Sequence, residues 1–185
     1  MWRNSSTGFG RISRLLHWTM AALILALLVL GTALGWIKPN LSTLWLYGLH
    51  KTMGLTALSL AVIRLIWHRI SPPPPPLGPA AHWQNRAARA THLTLYALML
   101  AIPLSGWIAS SATGLDLVIF GQITLPPIAP TSEALENAGF AVHGILTKLL
   151  MALLLAHITG GILRGLKGDA TLRRITKGLE SPSRL

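Results

Sequence analysis

The chain has 185 residues, of which 51% are hydrophobic and only 11% charged, well under the roughly 25% of an ordinary soluble domain. Its formal net charge of +11 raises nucleic acid as a partner until the placement of the charges is read. There is no cysteine, which excludes disulfides, thiolate-held iron–sulfur clusters and covalently attached c-type haem.

Four apolar runs, roughly 15–37, 44–67, 92–113 and 140–163, each reach the ~20 residues a helix needs to cross a bilayer. They predict an all-α membrane protein, a single domain over residues 1–185 built as a bundle of four transmembrane helices. Apart from Lys38, Lys51 and Lys148, every basic residue lies before the first run, around the loop between the second and third, or after the fourth. That alternation is the positive-inside pattern and predicts cytoplasmic termini. The basicity reports orientation, and nucleic acid is not expected as a partner.

Residues 1–14 are polar and are expected to be poorly ordered. The first run opens on His17 and Trp18 and closes on Trp36, with aromatic residues at both interfaces. It is too long for the apolar part of a signal peptide and lacks a cleavage site, so it reads as a retained helix. Gly31 lies fourteen residues after His17, on the same face at the outer level. A glycine there admits a flat macrocycle or, in the Gly31/Gly35 spacing, another helix.

The second run carries His50 near its outer end and Arg64 fourteen residues on, at the inner level. The planar guanidinium suits a haem propionate, and an ordinary arginine at the cytoplasmic flank fits the sequence equally well. The following loop, SPPPPPLGPAAHW, reads as a stiff connector or a docking segment. His68 and His82 are expected to face water.

In the third run His92 lies at the inner end, Pro103 predicts a kink, and Gly106 again follows by fourteen. His92 is the rival ligand for an inner site, and otherwise a residue beside it, at a quinone or simply at the interface. The third loop, roughly 114–138, holds Asp116, Glu133 and Glu136 and is long enough to cover an outer site. The fourth run contains His143 and His157, again fourteen apart, about four turns or roughly 21 Å along one helix face. Lys148 points away from that face. The tail DATLRRITKGLE predicts a short amphipathic helix.

Depth pairs these histidines. His17 and His157 fall at the inner level, His50 and His143 at the outer level. Two imidazoles from two helices at each level describe two non-covalent b haems, with His17, His50, His143 and His157 as axial ligands. Sites with both axial positions filled pass single electrons and bind oxygen poorly. A metal-ion transporter is a remote alternative, since acidic ligands are missing from all four runs. A catalytic triad is unsupported for the same reason.

At these residues the chain resembles the bacterial cytochrome b561 family. The matching pieces are R-x-x-R-x-x-H-W at Arg11–Trp18, HKTMGLTALSLAVIRLIWHR at His50–Arg69, H-x-x-x-Y with P-x-x-G at His92, Tyr96, Pro103 and Gly106, and the last pair of histidines. The resemblance covers about residues 9–178 and implies a bacterial inner-membrane cytochrome with His17, His50, His143 and His157 as haem ligands. It further implies electron transfer between ubiquinone and a partner. One branch oxidises superoxide on the outer side and reduces ubiquinone, and the compact chain is similar to it. Other relatives are membrane anchors that relay electrons to a redox partner protein, so both a superoxide oxidase-like enzyme and a relay subunit are expected readings.

Overall fold

The computed structural model describes residues 1–78 and 82–178. It contains four long helices, α1 (Arg11–Leu34), α2 (Leu44–Ile70), α3 (Trp83–Ala112) and α4 (Glu133–Leu166), and a short α5 (Thr171–Thr176). A two-stranded antiparallel hairpin, β1 (Leu117–Ile119) and β2 (Ile123–Leu125), interrupts the third loop, so the protein is not purely helical. All four long helices are long and apolar enough to cross a membrane.

Local chemistry sets the helix ends. Gly10 precedes α1 in an extended conformation, and a Cβ there would overlap the Arg3 backbone, so only glycine fits. Asn40 accepts from the Ser42 amide at 2.9 Å and shapes the turn into α2. α2 stops ahead of Pro72, as the residue before a proline disfavours the helical region. Ser132 caps α4 by accepting from the Leu135 amide, and Glu133 and Glu136 sit at the positive end of its dipole.

α3 begins nine residues before the apolar run that predicts it. Its polar first turns are held from outside: Asn85 donates to the Leu77 carbonyl at 3.0 Å and accepts from Arg164 at 2.9 Å. The N-terminal segment also departs from expectation, because it is folded. Asn4 donates to the Ser71 and Pro72 carbonyls, and the buried Arg174 of α5 donates to the carbonyls of Ser6, Thr7 and Pro75. Arg14 and Trp18 donate to the carbonyls of Thr176 and Ile175. The proline-rich loop therefore accepts bonds from the N-terminal segment and from α5. Part of it, 79–81, lies outside the described residues, as do the last two residues of the predicted tail helix.

α1 packs on α2, α2 on α3, and α3 on α4, with α5 against the C-terminal end of α4. The core is a cluster of Ile24, Leu95, Leu98 and Leu150, backed by Leu28, Met99, Ile102, Leu146, Leu153 and Leu154. Each central residue lies midway along its helix, and the buried Ala57 holds the same level on α2. This apolar layer divides the half of the bundle beside the N-terminal segment and α5, here called inner, from the half beside the β1–β2 hairpin, here called outer.

Candidate functional site

The helices bring the four sequence-predicted histidines together as two pairs. On the outer side, the rings of His50 (α2) and His143 (α4) stand 6.2 Å apart between centroids, at 77°. On the inner side, the rings of His17 (α1) and His157 (α4) also stand 6.2 Å apart, at 61°. All four rings are partly buried. α4 supplies one member of each pair, and the apolar layer around Leu150 lies between them.

The outer pair rests on glycine. A Cβ on Gly31 would meet His50 Cε1 at 2.9 Å, and one on Gly106 would meet His143 Nδ1 at 3.1 Å. With no side chain on Gly106, His143 approaches α3 until Nδ1 lies 2.9 Å from the Ile102 carbonyl and 3.4 Å from Ser105 Oγ. The carbonyl only accepts, so Nδ1 carries the proton and Nε2 keeps its lone pair. His50 Nδ1 is buried with no hydrogen-bond partner. Above the pair, the hairpin is pinned to α2 by the Phe120 amide, which donates to Thr52 Oγ1 at 3.1 Å. The third loop thus covers the outer end of α2, as its length suggests. Its strands are joined by three residues, of which Phe120 and Gly121 are both at positive φ, and the Gln122 amide donates to the Ile119 carbonyl at 3.1 Å.

The inner pair sits in a polar cluster. Arg64 reaches across from α2 until Nη2 lies 3.3 Å from His17 Nδ1, and its guanidinium stacks 5.6 Å over the Tyr96 ring. Arg64 Nε is buried without a partner. His92 joins the cluster edge-on to His157, with centroids 5.2 Å apart. His68 does not simply face water: its Nδ1 lies 3.1 Å from Tyr96 Oη. His82, by contrast, is exposed and stacks on Trp83, apart from either pair.

Tyr96, marked in the sequence by the H-x-x-x-Y match but without a role, lies one turn after His92 and shares its face. The Ile102 carbonyl carries no side-chain signal. Trp107 Nε1 and Ser110 Oγ, both buried without partners on the outer half of α3, are further unsatisfied groups that apolar periodicity does not mark.

Two facing imidazoles suit a macrocyclic iron better than a bare ion. Two metal–imidazole bonds of about 2.0 Å, with each ring centre about 1 Å further on, span roughly 6 Å. Both pairs match that span, whereas His92 is too near His157 to share an iron with it. Among the described residues no group of three or more His, Cys, Asp or Glu side chains is arranged to hold a metal ion.

Fold and site together define a multi-pass helical membrane protein with imidazoles paired at two depths in its interior. The chain belongs to the prokaryotic cytochrome b561 family, whose model matches residues 8–178. It is 32% identical to cytochrome b561 homolog 2 of Escherichia coli (strain K12) over 157 residues, 83% of this chain and 82% of that one. It is likewise 32% identical to cytochrome b561 homolog 1 of the same organism over 130 residues, 68% of this chain and 72% of that one. Membership brings transmembrane electron transfer through b-type haem in a bacterial membrane.

Proposed function

We propose that the protein holds two b haems, an outer one between His50 and His143 and an inner one between His17 and His157, and passes single electrons across the bacterial inner membrane. The observation that carries the reading is the equal 6.2 Å ring separation of the two pairs, one on each side of the apolar layer. Haem held by these two pairs would supply one-electron chemistry at iron. The chain's own groups do the rest. The Ile102 carbonyl fixes the His143 tautomer so that Nε2 keeps its lone pair for iron. Gly31 and Gly106 leave room beside the outer rings. Arg64 is a donor only, so its bond to His17 Nδ1 places the ring proton on Nε2. Ligation through Nε2 therefore needs Arg64 to release Nδ1, and a haem propionate is the acceptor suited to take it.

With the termini in the cytoplasm, the outer pair faces the periplasmic donor and the inner pair faces the quinone pool. Superoxide is the leading donor: two superoxide anions each give up one electron and leave as dioxygen, while ubiquinone takes two electrons and two protons to become ubiquinol. Lys51, beside His50, supplies positive potential near the outer pair, while Asp116, Glu133 and Glu136 restrict any attraction to a local one. Haem content tests the first half of the reading: a pyridine haemochrome assay should return two haems per chain, and one or none overturns it. Stopped-flow mixing of superoxide with the oxidised, ubiquinone-loaded protein tests the second. Fast reduction that slows in salt and in Lys51→Glu supports superoxide. Reduction no faster than the uncatalysed reaction leaves the electron-relay subunit as the function.

A further inference from the structure

Lys148 lies near the middle of α4, and its side chain is exposed on the outward face of the bundle. It is about 12 Å along the helix from Phe140, where the apolar run begins, and about 22 Å from Leu163, where it ends. A four-carbon stem does not carry an ammonium from that depth to the headgroups on either side. Among the described residues no acidic side chain pairs with it, and the chain's five acidic residues, Asp116, Glu133, Glu136, Asp169 and Glu180, all lie outside the apolar runs. An unpaired cation at such depth is costly and marks function.

The surface around it is shaped for close approach. Gly144, Ala152, Ala156 and Gly160 recur with Lys148 at every fourth position, in one row along α4. All but Gly144 are classed as exposed, and a Cβ on Gly144 or Gly160 would meet nothing within 4 Å. The protein's own packing does not require glycine at either position. Rows of small residues let a second helix backbone come near in the bilayer.

We propose that this face of α4 receives a transmembrane helix of another protein, one that carries an Asp or Glu level with Lys148. Charge decides between the occupants. A second copy would set Lys148 against Lys148 and brings no acid at that depth. Lipid phosphate lies too far along the helix. A carboxylate on a neighbouring helix accepts from the ammonium and removes the unpaired charge, while the row of small residues admits its backbone. This inference is independent of the haem assignment.

The test uses the full-length protein, fluorescently labelled, in phosphatidylcholine vesicles with synthetic leucine–alanine transmembrane peptides. One peptide carries a single Glu at the depth of Lys148 and its control carries Leu there. Energy transfer should report the Glu peptide binding about tenfold more tightly than the Leu peptide. That preference should vanish in Lys148→Leu, and Lys148→Glu should prefer a peptide carrying Lys. Ala152→Ile, which blocks approach without touching charge, should weaken both peptides, with an unchanged circular dichroism spectrum showing that the fold persists. Equal binding of Glu and Leu peptides to the wild-type chain overturns the proposal. So does self-association of the wild-type chain with Lys148→Cys crosslinking to its own copy, which makes a second copy the occupant.

Discussion

Arg64 Nη2 lies 3.3 Å from His17 Nδ1, which sets a half-buried guanidinium directly against one member of the inner pair, whereas the cation near the outer pair, Lys51, is the sequence neighbour of His50. A nearby positive charge favours the reduced iron, which carries one charge fewer than the oxidised iron. Arg64→Gln should therefore lower the midpoint potential of the inner haem by about 60 mV, a tenfold change for one electron. The outer haem should stay where it was. A spectroelectrochemical titration reads both, and equal shifts at the two haems would show that Arg64 does not act locally.

Loss of one haem at a time follows from the pairing. His50→Ala and His143→Ala should each remove only the outer haem, and His17→Ala and His157→Ala only the inner one. His92→Ala should retain both, because its ring stands 5.2 Å from His157, nearer than two partners on one iron. Low-temperature absorption spectra distinguish the two centres. A variant of His92 that loses the inner haem while His17→Ala keeps it would reassign the ligand.

How much of this arrangement shows in the sequence depends on which forces hold it. The histidine pairs were readable because membrane helices cross a slab of fixed thickness, so a fourteen-residue spacing converts directly into depth. His143 and His157 on one helix then select His50 and His17 by level alone. The inner cap was not readable. Arg174 reaches the carbonyls of Ser6, Thr7 and Pro75 across most of the chain length, and backbone acceptors leave no mark in residue type. The early start of α3 at Trp83 has the same origin, since a polar first turn becomes stable only through Arg164 and the Leu77 carbonyl. The β1–β2 hairpin was missed because three-residue strands lie below what alternation can reveal.

Gly31 offers a test of the outer site that leaves every ligand in place. A Cβ there falls 2.9 Å from His50 Cε1, so the ring must shift. Gly31→Val should weaken the outer haem site by about 1–3 kcal/mol, the usual cost of overpacking, with the inner haem retained. Gly160→Ala is the matched control, because Gly160 is exposed on the outward row of α4 and a Cβ there meets nothing within 4 Å. Haem quantification on both variants checks the pair, and equal loss from each would remove Gly31 from the site.

Orientation is open to a direct experiment. Basic residues cluster at the end of the bundle that holds the inner pair, among them Arg14, which donates to the Thr176 carbonyl at the end of α5 at 2.9 Å. A reporter fused to the C-terminus should be active only if it works in the cytoplasm. Activity of a periplasm-only reporter there reverses the assignment of inner and outer throughout.

The inner cap should respond to pH through Asp169. Burial alone raises this carboxyl, but hydrogen bonds from Thr171 and Arg164 outweigh it and hold the group below the usual carboxylate range. The Arg164 contact is an ion pair at 2.8 Å, and the Thr171 amide donates at 2.7 Å. A carboxyl whose pKa is depressed by folding adds stability above its unfolded value of about 3.9 and loses it as pH falls through the folded value. The contribution is therefore constant at neutral pH and disappears in the acid range below about pH 4. Its loss acts locally, because Asp169 joins α4 to α5, and α5 in turn holds Arg14 and Trp18. Protection of the α5 amides, taken relative to intrinsic exchange at each pH, should fall on acidification before protection in the bundle does. Asp169→Asn should show the lower α5 protection already at pH 7 and little further change on acidification. A wild-type profile that matches Asp169→Asn at every pH would mean that the carboxylate does not hold the cap.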